Sequence, residues 1–142
     1  MQKIHFYNFN RKPSLEQRNQ LKTFIENIFI LEKKRLNSLS YIFCSDEYLL
    51  NVNNEFLKHD LYTDVITFDL GSSNTGTTGE VYLSIDRIRE NAKNEKVSFK
   101  EELHRVIFHG ALHLCGYNDK KKKDIEIMRH KEDWYLKRYF HK

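Results

Sequence analysis

Proline is almost absent from this chain, with one among 142 residues, and there are only two cysteines and five glycines. So little glycine and proline excludes a collagen-like repeat and a low-complexity linker, and 39% hydrophobic residues exclude a disordered tail. Two thiols, Cys44 and Cys115, are too few for a disulfide framework and are expected to stay reduced. No stretch approaches the ~20 apolar residues of a membrane span. The opening MQKIHFYNFN has no apolar signal core, so a cytoplasmic address without membrane attachment is expected. No internal repeat is visible. What remains is the length of a single domain, residues 1–142, with room for one core.

Neither sign of charge dominates the whole, since 24 Lys and Arg stand against 20 Asp and Glu. Their distribution is uneven. Residues 1–86 hold nine cations and eleven anions, a net −2, whereas residues 87–142 hold fifteen and nine, a net +6. A basic C-terminal part hints at a polyanionic partner. A solvated helical surface has the same composition, so charge alone decides nothing.

Hydrophobic spacing orders the chain as β, α, β, α, β, β, α, α, α, which is a mixed domain of the α+β kind. Ile4, Phe6 and Phe9 mark an edge or near-edge strand. Ser14 and Gln17 form a capping-box pattern ahead of Leu21, Phe24, Ile25, Ile28 and Phe29, which recur at helical spacing to about Leu31. Ser40 to Cys44 reads as a short strand, and Ser45 can cap a helix carrying Leu49, Val52 and Phe56. Asp64 to Leu70 and Glu80 to Ile85 are β-branched and aromatic, and the Gly/Ser/Thr-rich stretch Gly71 to Gly79 between them is expected to be a mobile loop. Asp86 is placed to cap a short charged helix. Ser98 and Glu101 open the next one, which Gly116 can end in a left-handed conformation. Helical spacing returns from Asp124, with Trp134, Tyr135, Tyr139 and Phe140 as a packing face.

Chemistry concentrates in His109-Gly110-Ala111-Leu112-His113-Leu114-Cys115-Gly116-Tyr117-Asn118-Asp119. Histidines at i and i+4 of a helix lie on one face and can both reach one metal ion. If the helix stops at Gly116, the chain can turn back and bring Asp119 to the same point. Two imidazoles and a carboxylate would leave a coordination position open for water, as catalytic zinc sites do. The plainer alternative is two surface histidines bonded to neighbours and a loop carboxylate that offsets Lys120, Lys121, Lys122 and Lys123. The related HExxH motif is excluded, because Gly110 stands where its general base would be.

The segment resembles the signature of the YbeY-type endoribonucleases, or rRNA maturation factors, which reads roughly HGxLHLxGYDH. Two further blocks match in order and spacing: Asn53-Asn54-Glu55-Phe56 leading to Thr63-Asp64-Val65-Ile66-Thr67-Phe68, and Gly79-Glu80-Val81-Tyr82-Leu83-Ser84. The resemblance covers about residues 40–135. It implies an α+β domain with a mixed four-stranded sheet packed by about five helices. It further implies metal-dependent cleavage of single-stranded RNA, in 3′-end maturation of small-subunit ribosomal RNA and in ribosome quality control. The implied ion is zinc, held by three signature histidines, of which His109 and His113 carry over.

The third does not, because Asp119 stands in its place. A carboxylate is a competent but shorter and anionic donor, so manganese or iron remain open beside zinc. Asp124 is the alternative third donor. Where the family commonly has an arginine this chain has Leu57, and the nearest cations are Lys58 and His59. Lysine offers a point charge without the bidentate fork. Lys58 and Lys120 to Lys123 are therefore the candidate RNA contacts, with Tyr117, Tyr62 and Phe68 as possible stacking surfaces. No residue stands out as a general base, and Asp64, Glu80 and Lys58 are weak catalytic candidates. The competing class is a ribosome-assembly binding factor with a structural metal and little or no cleavage.

Overall fold

The computed structural model describes residues 2–58 and 61–140. Four strands and five helices follow the expected order: β1 (Ile4–Asn8), α1 (Arg18–Leu31), β2 (Leu36–Cys44), α2 (Asp46–Leu57), β3 (Val65–Ser73), β4 (Gly76–Ser84), α3 (Ile85–Glu95), α4 (Phe99–Leu114) and α5 (Lys122–Phe140). The strands lie in the order β1-β2-β4-β3, with β1, β2 and β4 parallel and β3 antiparallel to β4. The domain is thus α+β with a mixed sheet.

Alternation along the strands divides the side chains between two faces. Leu39, Tyr41 and Phe43 of β2 and Val81 and Leu83 of β4 enter the main core with α1, α4 and α5. Cys44 and Ile66 enter a smaller cluster with Leu49 and Val52 of α2 on the other face, against which Phe68 and Tyr82 pack. Both cysteines are free and buried. Burial pushes each thiol up to about 12, so neither is a ready nucleophile.

Two glycines let helix α4 seat directly on the sheet. A Cβ on Gly110 would stand 2.8 Å from both γ-carbons of Val81, and one on Gly79 would stand 2.6 Å from Cδ1 of Leu114. Removing a side chain on each side lets the helix that bears both histidines seat on β4. Gly116, at φ 109°, then turns the chain off the helix.

Several local expectations are corrected. Ser14 does not cap α1, which begins at Arg18 behind a left-handed Gln17 that makes no side-chain cap bond. Pro13 and Leu15 are buried on either side of the exposed Ser14, in a segment without regular secondary structure that precedes the helix. Ser84, not Asp86, caps α3, accepting from the Arg87 amide at 3.1 Å. The stretch Gly71 to Gly79 is a β-hairpin rather than a loop: β3 runs to Ser73 and β4 starts at Gly76. Arg35 fastens the hairpin tip, donating to the Asn74 carbonyl at 2.7 Å and accepting from the Thr77 amide at 2.9 Å. Trp134 leaves the packing face, being 43% exposed with Arg138 over its ring, while Tyr135 and Tyr139 fill the core. The Ser45 and Ser98 caps form as expected, at 3.2 and 3.0 Å.

Candidate active site

A cleft of about 720 Å³ opens beside α4, between the start of β3, the end of α2 and the first half of α5. His109 and His113 face it one helical turn apart, their ring centroids separated by 6.1 Å. After Gly116 the chain doubles back as expected, and Asp119 arrives between the two rings. His109 Nε2 lies 3.2 Å from Asp119 Oδ2, and His113 Nε2 lies 3.9 Å from Asp119 Oδ1.

Beneath them sits a residue that the sequence reading missed. Glu132 of α5 is only 4% exposed, and its Oε2 meets His109 Nδ1 at 2.6 Å. That bond orients the imidazole through Nδ1 and leaves Nε2 turned toward Asp119. Arg105 in turn donates to Glu132 Oε1 at 3.1 Å and to Asp133 at 2.7 Å, which compensates the buried carboxylate. A signal for Glu132 was present: it falls on the buried stripe of α5 formed by Met128, Tyr135, Leu136 and Tyr139, where a lone carboxylate needs a partner.

The electrostatics of the pocket follow. Burial alone would push the His109 imidazole down, but the Glu132 bond and the nearby Asp119 and Asp64 charges outweigh it and raise its pKa. Asp64 and Glu102 also line the cleft, and burial raises both of their carboxyl pKa values. Asp64 is fixed by its backbone, whose carbonyl accepts from the Ser84 amide at 2.9 Å, and its side chain meets Asn91 at 3.4 Å.

Of the other candidates from sequence, Tyr62 reaches this cleft, whereas Glu80, Lys58, Phe68, Tyr117, Asp124 and Lys120 to Lys123 do not line it. Glu80 belongs to the α2 face of the sheet, where its carboxylate accepts from the Tyr82 hydroxyl at 3.1 Å. Lys58 closes α2 in a left-handed turn, and His59 lies outside the described residues. Lys120 and Lys121 are exposed just after Asp119, with Lys122 and Lys123 exposed in the first turn of α5, where Asp124 is half-buried. Leu57, Tyr62 and Ile125 form part of the rim, together with the half-exposed Arg129. The Tyr117 hydroxyl is engaged by Glu32.

The three sequence-predicted donors approach pairwise without being closed into a shell. Among the described residues no group of three or more His, Cys, Asp or Glu is gathered tightly enough to hold an ion as it stands. The donor chemistry nevertheless fits one. Bonds of about 2.0–2.1 Å in a tetrahedron set neighbouring donors about 3.3 Å apart. The His109–Asp119 separation of 3.2 Å matches that edge, and the partly exposed His113 and Asp119 side chains have room to close the other.

The profile of the Endoribonuclease YbeY family matches residues 6–140 of this chain. An Endoribonuclease YbeY of Cytophaga hutchinsonii is 47% identical over 130 residues, covering 92% of this chain and 91% of that relative. One of Flavobacterium johnsoniae is 42% identical over 127 residues, covering 89% and 91%. The solution structure of TM1509 from Thermotoga maritima superposes with a TM-score of 0.59 at 27% identity, covering 94% of this chain and 87% of that one. With its signature segment arranged around one cleft and near-full-length relatives sharing over two-fifths of their residues, the chain belongs to the Endoribonuclease YbeY family.

Proposed function

We propose that this protein is a metal-dependent endoribonuclease that cuts single-stranded RNA, acting in the cytoplasm on ribosome-associated small-subunit ribosomal RNA during 3′-end maturation and quality control. The observation that carries this reading is the approach of two imidazole Nε2 atoms to the two oxygens of Asp119, with Glu132 holding the opposite nitrogen of His109. His109, His113 and Asp119 would hold one divalent ion, zinc first, with manganese or iron as alternatives for a site with a carboxylate arm. Such an ion, when bound, lowers the pKa of a coordinated water toward ~7 and polarises a phosphoryl oxygen.

The chain supplies the rest. Glu132 keeps His109 in the tautomer that presents Nε2, and Arg105 keeps Glu132 in place. Asp64, in the cleft with a raised carboxyl pKa, is suited to take and hold a proton at its carboxylate oxygen. Arg129 on the rim can meet a phosphate where the family arginine is replaced by Leu57. Lys122 and Lys123 occupy the first turn of α5, where cations oppose the helix dipole. A polyanion lying against them would relieve that conflict, with Lys120, Lys121 and Lys58 extending the attraction.

Cleavage of a labelled single-stranded RNA, with and without chelator and with metal added back, tests the proposal. Cleavage that the chelator abolishes and zinc restores is expected. Bound metal without cleavage would favour an assembly factor with a structural ion, the reading to which the missing arginine at Leu57 points.

A further inference from the structure

Glu32 follows α1 as its C-cap and takes no part in the chemistry above. A carboxylate is electrostatically misplaced there, because the end of a helix already carries negative partial charge. Its side chain is nonetheless 10% exposed and accepts three hydrogen bonds. Tyr117 donates to Oε1 at 2.6 Å, while Tyr135 and Lys131 donate to Oε2 at 2.5 and 3.2 Å. Burial would raise this carboxyl, but the three donors outweigh it and hold its pKa below the ordinary value.

Two of those donors, Tyr135 and Lys131, sit on α5 and join α1 to α5, the Lys131 ammonium also lying 5.5 Å from the centre of the Tyr117 ring. Tyr117 is different. It lies in the short segment between α4 and α5, two residues ahead of Asp119. Its amide reaches back to the Leu112 carbonyl at 3.2 Å, which completes the helix end, and its hydroxyl then ties the departing chain to Glu32, 85 residues earlier. Gly116 gives the segment a pivot at φ 109°, and Asn118 is exposed. A donor placed by a loop needs such support, since productive ligand geometry tolerates errors of only about 0.5 Å.

We propose that Glu32 is a positioning residue for Asp119, acting through the Tyr117 hydroxyl; this rests on the reading of Asp119 as a metal ligand. The sequence spacing gives no hint of it, because the two residues meet only through the fold. The bond sets where the loop leaves α4, and hence how far the Asp119 carboxylate stands from His109 and His113.

The test is zinc affinity of the metal-free protein, measured by competition with a chromogenic chelator and accompanied by melting temperatures. Five variants suffice: Tyr117→Phe, Tyr135→Phe, Glu32→Ala, the Tyr117→Phe/Glu32→Ala double and Asp119→Ala. Tyr117→Phe is expected to weaken zinc binding about tenfold, as loss of support behind a ligand typically does. Tyr135→Phe removes a donor from the same carboxylate but leaves the loop tied, so its zinc affinity should stay within about twofold of wild type while its melting temperature falls. Adding Glu32→Ala to Tyr117→Phe should weaken zinc no further, the non-additivity expected of residues acting in series. Wild-type zinc affinity in Tyr117→Phe, beside weakened binding in Asp119→Ala, would overturn the positioning role and leave the ligand assignment standing. Equal losses in the two tyrosine variants would also overturn it, making the clamp generally structural. Wild-type affinity in Asp119→Ala would remove the ligand assignment itself, and the positioning role with it.

Discussion

Two clusters of charged side chains lie toward the same end of the sheet and are built on opposite terms. At the starts of α2 and α3, Asp46 and Asp86 are met on every side. Arg87 donates to Asp46 at 2.7 Å, Arg11 to Asp86 at 2.8 Å, the Asp46 amide to Asp86 at 2.9 Å and Ser84 to Asp46 at 3.1 Å. The Arg11 bond, outweighing partial burial, holds the Asp86 carboxyl below its usual range. Around His109 the charges are deeper and less completely answered. Asp64 and Glu102 are pushed up by burial, and Asp119 faces two imidazoles. A closed network ties helix starts together and has no valence left for a ligand. A cleft that gathers buried carboxylates and two imidazoles has both candidate donors and room for a ligand.

The contrast can be broken most severely at His109. His109→Ala is expected to abolish stoichiometric metal binding and reduce RNA cleavage by more than about 100-fold, read by elemental analysis and a labelled RNA. Glu132→Gln should come next. It keeps the volume but weakens the hold on His109, so metal affinity should fall about 10–100-fold, measured by chelator competition. Gly110→Ala attacks the seat of the helix rather than the cleft. Its methyl group would meet Val81 at 2.8 Å, so a loss of about 1–3 kcal/mol is expected by denaturant unfolding.

A smaller effect is expected from His104, which is 2% exposed, with Nδ1 at 2.7 Å from the Lys100 carbonyl and its ring stacked on Tyr139. Burial lowers its pKa below the unfolded value of about 6.5. The unfolded chain therefore binds the proton first, and stability is lost as pH falls below about 6.5 toward the folded value. His104→Phe should lose less stability than wild type between pH 7 and pH 5 in urea titrations. Smallest of all is Asp86→Ala in the closed network. Its pair with Arg11 is about two-fifths exposed on both sides, so the melting temperature should move only by about 2–4 °C, with metal affinity unchanged.

These two regions were unequally legible in the sequence. The element order followed from hydrophobic spacing, because apolar stripes such as Leu103, Val106, Ile107 and Leu114 are local signals that tertiary packing confirms. The cleft residues His109, His113 and Asp119, our proposed donors, could be named together because they share eleven consecutive residues, with helical spacing and a stop-glycine to bring them together. Glu132 and Arg105 were not singled out, since their roles depend on which helix packs against which. The helix starts misled for a related reason. Asp86 is a good cap by type, but Ser84 precedes it at the strand end, and the carboxylate is drawn off to Arg11 and the Asp46 amide. The hairpin tip was read as loose from its composition, whereas Arg35, from the turn before β2, holds it.

The most direct test is the metal content of the purified His109→Ala/His113→Ala double variant beside wild type, by elemental analysis after equilibration with zinc. One ion per wild-type chain and none in the folded variant is the expected result. A variant that folds and keeps its full complement of zinc would contradict the assignment of the cleft as the metal centre.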